Sequence, residues 1–472
     1  MKMHAKIPAA RLAPVVLALA LAAALPAMAA VPGSTGTRGA GCEGASVCFD
    51  LAARKGQITL GDGNTLLTWG FSAGSSLQYP GTTLIVNEGD TVRVTLANTL
   101  AVTTSIVFPG QLGVVATGGT AGLLTNEAGA NGSGGSVSYT FTATHAGTYL
   151  YQSGTEPEVQ IEMGLVGALI VRPAGFDAGT DEAHPQRRAY ADGATAYDRE
   201  YLFFLTDMDR SAHEGVQQGL PIDPASFKAT LWFINGRNGP DTMLKSSVGW
   251  LPAQPYNALA RMHPGERVLM RIVGAGRDLH PFHHHGNNAW LVARDGRVLQ
   301  SNPGAVARYP DFNGIPELAA LNATLPDEAI SNYTIQIVPG STYDAVFTWT
   351  GRGLNWDMYG HSGTECASPA ATAASRTANE DPDSHCKALP VRLPEQQSLT
   401  FGGLWSGSPY LEKLEALPPL QGGLNPGGGY SFMWHSHTER ELTNDDIFPG
   451  GMMTMMIIEG PGVAIDANGN ID

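Results

Sequence analysis

The sequence predicts an all-β protein built from two related sandwich or barrel units, and three features carry that prediction. Its apolar runs are short, bounded by turn residues and rich in β-branched and aromatic side chains: "VRVTLAN" (92–98), "GTYLYQS" (147–153), "GALIVRP" (167–173), "RVLMRIVG" (267–274), "YTIQIVPG" (333–340), "YDAVFTW" (343–349) and "MMTMMII" (452–458). Runs of this kind mark strands. Glycine (58) and proline (31) punctuate the chain, and no long amphipathic helical pattern competes with the strands. The two halves also align with each other. "EGDTVRVTLAN" from 88 matches "PGERVLMRIVG" from 264, and at the same distance beyond them stand "VFPG" (107–110) and "HHHG" (283–286). Later in each half "YLYQSGTE" (149–156) matches "FMWHSHTE" (432–439), followed by a glycine-containing apolar run. Such self-similarity reads as a duplicated domain.

Along the chain, residues 1–30 read as a secretory signal: Lys2, Lys6 and Arg11 precede the apolar "VVLALALAAALPAMAA", which ends on the small Ala29 and Ala30. The first domain is expected over 45–175 and a small, polar linker over 176–198. The second domain spans 199–462, with a long loop insertion at about 352–428, and 463–472 form a tail. No later segment is apolar for long enough to span a membrane, so an exported protein, periplasmic or secreted, is expected. The formal charge of −15 disfavours nucleic-acid and anionic-lipid partners. The four cysteines fall into two local pairs, Cys42 with Cys48 and Cys366 with Cys386, as disulfides of an oxidising compartment would. The alternative, a thiolate metal site, has no histidine motif beside it except His385 next to Cys386.

The chemistry therefore rests on the histidines. Side chains alternate across a strand, so His283 and His285 project to one face and His284 to the other, and His435 and His437 flank Ser436 in the same way. Two such pairs on neighbouring strands would converge four imidazoles, a donor set suited to copper, zinc, iron or nickel. The plainer reading of one buried histidine is a hydrogen-bonded core residue. Two pairs at matched positions of two strands weigh against it, as does their replacement in the first half by Val107, Pro109, Gln152 and Gly154. His280, His284 and Glu441 lie on or near the opposite faces; they read as packing and hydrogen-bonding residues, with a second, harder metal site as the alternative. His145, His184, His213, His263, His361 and His385 stand singly and read as surface residues. Met452, Met453, Met455 and Met456 read as core filling rather than sulfur ligands.

"LHPFHHHGN" (279–287), "FMWHSHTERELTNDDIFPGGMM" (432–453), "GDTVRVTLAN" and "GTYLYQSGTEPEVQIEMGLVGALIVRP" together resemble the multicopper oxidases over roughly 50–460. The resemblance implies two cupredoxin-like Greek-key β-sandwich domains, copper as cofactor, and dioxygen with a small-molecule or metal-ion substrate as partners. It matches His283, His285, His435 and His437 to cluster ligands and His280 to a type 1 ligand. Ser436 stands at the cysteine position and Glu441 at that of the second type 1 histidine, so no blue copper centre is expected. In the first half "VFPG" and "QSGT" replace the remaining cluster motifs. The resemblance implies an exported copper-dependent oxidoreductase with a histidine-ligated site; the alternative is a non-catalytic copper-binding or sequestration protein. A homotrimer is a further expectation from the same resemblance.

Overall fold

A computed structural model describes residues 31–176, 187–191, 193–306, 324–349, 408–411, 428–459, 463–466 and 469. The signal segment, part of the linker, most of the loop insertion with Cys366 and Cys386, and much of the tail lie outside these residues. Two β-sandwiches are formed, as the repeat predicts. The first contains β1 (Val47–Thr59), β2 (Thr65–Ser72), β3 (Gly81–Asn87), β4 (Thr91–Asn98), β5 (Val115–Gly118), the small hairpin β6 (Thr120–Ala121) and β7 (Asn126–Glu127), β8 (Val137–Thr142), β9 (Gly147–Gln152), the one-turn helix α1 (Pro157–Gln160) and β10 (Val166–Arg172). Its sheets run β2-β1-β4-β8-β5 and β3-β10-β9. Cys42 and Cys48 are disulfide-bonded at its edge.

The second sandwich contains β11 (Arg199–Met208), helix α2 (Arg210–Gln217), β12 (Leu231–Ile234), β13 (Ala260–Met262), β14 (Arg267–Gly274), β15 (His280–His284), β16 (Ala289–Arg294), β17 (Arg297–Val298), β18 (Ile330–Asn332), β19 (Thr334–Ile337), β20 (Thr342–Thr348), β21 (Ser408–Leu411), β22 (Gly428–Ser436) and β23 (Met453–Ile458). Its sheets run β12-β11-β14-β20-β16-β17, with β18 beside β16, and β13-β23-β22-β15-β19, with β21 beside β22. The duplication is visible in the pairing. Parallel β1 and β4 correspond to parallel β11 and β14, and parallel β3 and β10 to parallel β13 and β23. Even the bridge between Val107 and Gln152 occupies the place of the pairing between His283 and His435. Met452, Met453 and Met456 are buried, and Met452 and Met456 fill the second core.

Every residue of β11 is buried, because the strand is covered on both sides. Tyr201, Phe203 and Leu205 enter the core of the second sandwich, while Leu202, Phe204 and Met208 join Leu150, Val166, Ala168 and Ile170 of the first. A continuous apolar run is what a strand buried on both faces requires. The later part of the linker is packed as well: Tyr190 and Tyr197 are buried. Two of the six histidines read as surface residues are not. His213 of α2 is fully buried against the first domain, its Nδ1 facing the Leu67 carbonyl and its Nε2 3.0 Å from the Glu162 carbonyl. His263 pairs with Glu266 at 3.1 Å. A lone histidine in a turn-like stretch gives no sign of what another domain brings to it. His145 is exposed, and His184, His361 and His385 lie outside the described residues.

Charges seal the boundary between the sandwiches. Glu200 of β11 lies between Arg172 of β10, 2.6 Å away, and Arg271 of β14, 2.7 Å away. Arg271 also donates to Thr148 Oγ1 of β9 at 2.9 Å, and that hydroxyl donates to Asp344 of β20 at 2.6 Å. Burial opposes ionisation of Glu200, but the two guanidiniums outweigh it and its pKa is pushed down to about 2. Its stabilisation is therefore present above the ordinary value of 4.5 and is lost as pH falls through about 2. Glu200→Gln leaves buried Arg172 without its anion and Arg271 with only Asp344, 3.6 Å away, so it should lower the unfolding free energy by about 3–5 kcal/mol at pH 7 in urea titration. A loss under about 1 kcal/mol would mean that the network is solvated after all.

Candidate metal centre

The antiparallel pairing of β15 with β22 sets His283 opposite His435, with Phe282 opposite Ser436 and His284 opposite Trp434. Phe282, His284, Trp434 and Ser436 are buried on the inner side. His283, His285 and His435 share the other side, and His437 lies exposed just past the end of β22. The backbone continues the register at both ends: His437 N donates to the Pro281 carbonyl at 2.8 Å and His285 N to the Met433 carbonyl at 3.2 Å.

All four rings meet. The His283 ring centre is 4.8 Å from those of His285 and His437 and 5.3 Å from that of His435. Ligand atoms of His283, His285 and His435 lie within 4.8 Å of one another, a spread that one ion with metal–nitrogen distances of about 2 Å closes with small ring rotations. His435 Nδ1 donates to the Ser436 carbonyl at 2.6 Å, which leaves its Nε2 as an acceptor facing His285 Nε2 at 3.4 Å. Two nitrogens pointed at each other with no carboxylate between them suit a shared cation. Burial first, then the neighbouring imidazoles, pushes the pKa of His283 down to about 3 and that of His285 down to about 4, and lowers that of His435. These three rings are thus neutral, the state in which imidazole binds a metal. The donor set fits a metal with a preference for imidazole.

Ser436 has a local task. Its hydroxyl accepts from Thr438 N at 3.2 Å, as Ser153 accepts from Thr155 N at 3.1 Å in the first domain. The same position caps the same turn in both halves. The three residues considered for a second site do not share a centre. His280 lies between Asp207 and Glu441, with both ring nitrogens engaged, whereas the His284 ring packs between Phe347 and Trp434 and has its Nε2 2.9 Å from the Asn332 carbonyl. Hydrogen bonds engage both ring nitrogens of His280 and the carboxylate of Glu441, whereas His284 is held by packing and by its Nε2, its Nδ1 being buried without a partner.

Three contributors escape a reading of spacing alone. Thr334 of β19 holds His283 Nδ1 at 2.7 Å, Tyr333 stands edge-on to the His283 ring at 5.7 Å, and Asp207 reaches His280 from the opposite sheet. Thr334 and Tyr333 open the strand-like run "YTIQIVPG", but nothing in that run says which strand it pairs with.

Comparison with known proteins agrees with the fold. Residues 68–175 match the family model of multicopper oxidases. A copper-containing nitrite reductase from Alcaligenes xylosoxydans xylosoxydans is 27% identical over 248 residues, covering 51% of this chain and 68% of the relative. The blue copper oxidase of Nitrosomonas europaea has a similar structure, with a TM-score of 0.50 at 20% identity, covering 87% of this chain and 85% of that one. The multicopper oxidase mgLAC superposes with a TM-score of 0.50 at 18% identity, covering 89% and 87%. The chain is similar to multicopper oxidases and copper nitrite reductases and shares their cupredoxin-like fold.

Proposed function

We propose that this is an exported copper-dependent oxidoreductase whose copper is held by His283, His285, His435 and His437, without a type 1 blue centre. The observation that carries the reading is the convergence of four imidazoles on one side of β15 and β22, with a serine where a soft thiolate would be needed. Copper bound there would supply one-electron redox chemistry. The chain's own contribution is to fix the rings. Thr334 and the Ser436 carbonyl hold the two Nδ1 atoms, and Tyr333 flanks His283 as an exposed aromatic surface against which a small substrate can rest. The copper-containing relatives and the Cys42–Cys48 disulfide support the cofactor and the compartment, respectively. Self-association as a trimer belongs to the same reading. Leu112, Val115, Leu123 and Leu124 are exposed on the first domain, and Leu124 lies beside Gly154, the counterpart of His437.

The alternative, copper binding without turnover, has its own support. Among the described residues His280, engaged by carboxylates at both nitrogens, is not free to hold a second copper behind the cluster. Oxygen or nitrite consumption by copper-loaded protein with an artificial reductant separates the two; stoichiometric copper with no consumption favours the binding protein. Copper titration of the purified chain should give a nitrogen-rich EPR signal with no intense blue band. His435→Ala should weaken copper binding by more than about a hundredfold, beyond the 10–100-fold typical of outer partners. His437→Ala, at the exposed end, should cost less. Full copper content in His435→Ala would place the site elsewhere.

A further inference from the structure

Three ionisable groups from three separate elements meet on the inner side of β15. Asp207 comes from β11 in the facing sheet, His280 begins β15, and Glu441 lies in the short turn Glu439–Leu442 that follows His437. His280 Nδ1 is 2.9 Å from Glu441 Oε2 and its Nε2 is 3.2 Å from Asp207 Oδ1, and all three residues are buried. A ring with a carboxylate at each nitrogen satisfies both only as an imidazolium donating two hydrogen bonds. Burial opposes that charge, but the bonds to Asp207 and Glu441 outweigh it and push the pKa up to about 9. The other groups facing this centre are Asp278 and Arg277 from the loop before β15, and Glu162 and Tyr79 on the far side of Asp207.

The first domain has an uncharged version of this arrangement. Thr104, the counterpart of His280, and Ser153, the counterpart of Ser436, both donate to Gln160 Oε1 at 2.7 Å, and Gln160 sits in α1, which follows its strand as the turn with Glu441 follows β22. Both halves thus tie the start of one strand to the turn after its neighbour. Only the half with the imidazoles does so with charge.

We propose that Asp207, His280 and Glu441 form an ionic clamp that positions the imidazole cluster, so that copper retention depends on the protonation of His280. This rests on the reading that His283, His285, His435 and His437 hold copper. The three are positioning residues rather than ligands. His280 fixes the strand that bears His283 and His285; Glu441 fixes the turn after His437, whose backbone is also held by Met452 N donating to the Glu441 carbonyl at 2.7 Å; and Asp207 ties both to the opposite sheet. Because the folded-state pKa lies above the ordinary 6.5, the clamp is complete below that value and is lost as pH rises through about 9. A neutral ring then offers one N–H to two buried carboxylates. Imidazole sites ordinarily hold metal better as pH rises, because protons compete less. This site should do the reverse at its alkaline end.

The test uses the full chain loaded with copper, challenged with a chelator between pH 7 and 10.5, with copper loss, EPR and circular dichroism followed together. Wild-type protein should lose copper about tenfold faster or more above pH 9, a size typical of outer partners of a metal site, while its strand signal persists. Glu441→Gln and Asp207→Asn keep the shapes and remove one charge each, so each should move that rise to lower pH by at least about one unit. Folded variants with the wild-type profile and EPR signal would overturn the clamp and leave the copper site standing. If neither variant folds, the wild-type profile decides: a flat rate across pH 9 overturns the proposal. Wild-type protein that takes up no copper at these histidines would fail the copper reading itself, and the clamp with it.

Discussion

One antiparallel register, His283 opposite His435, decides what chemistry this molecule can offer. A slip by one residue would turn every side chain of β15 to the other face, sending Phe282 and His284 outward and the imidazoles into the core. Packing forbids that slip. Phe203 of β11 meets the rings of Phe282 at 5.4 Å and Trp434 at 5.6 Å, and Phe347 meets Trp434 at 5.1 Å. Trp434 Nε1 donates to the His285 carbonyl at 3.2 Å, locking the two strands from the core side. Gly286 completes the arrangement. At a φ of 101° it turns the chain where a Cβ would strike the Phe432 ring at 2.9 Å. The aromatic core thus fixes the placement of imidazole rings on the opposite face of the sheet.

The duplicated half shows that the imidazoles are not what closes this part of the fold. Val107 and Gln152 bridge in the same place, with Val107 N donating to the Gln152 carbonyl at 2.8 Å and Gln152 N to the Val107 carbonyl at 3.1 Å. The backbone therefore pairs with or without histidine. Crowding imidazoles on one face adds nothing to the pairing of the sheet, a pattern more typical of functional sites than of structural ones. Ser436 fits the same comparison. It serves a turn that Ser153 serves equally well, so the absence of a thiolate leaves no local defect.

The strands and the outer cluster were legible because both depend on short-range periodicity. Alternation alone places His283 with His285 and Ser436 away from His435, and the internal repeat says which strands are neighbours. What long-range packing decides was not legible. Asp207 sits in "FLTDMD", an apolar run whose polar residue has no visible purpose until β11 faces β15 across the sandwich. His213 looked like a solvated turn residue because its partners, the carbonyls of Leu67 and Glu162, belong to the other domain. Glu441 could be placed near His280 by its position after the motif, but whether the two would share a metal or a proton required the second carboxylate to be seen.

The first domain has lost the histidines yet cannot be a passenger. Its strands β9 and β10 cover the side of β11 and β14 that faces away from the second core, where Leu202, Phe204 and Val273 join its own Leu150, Val166 and Ile170. Removing it would bare one entire face of a strand that is buried along its whole length, and would strip Arg172 and Thr148 from the charges of Glu200 and Arg271. β11 is also the strand that carries Phe203 beneath the β15–β22 pair and Asp207 behind His280. The domain without the imidazole cluster therefore holds rigid the strand against which the domain with it is built, which is reason enough for both copies of the duplicated unit to remain in one chain.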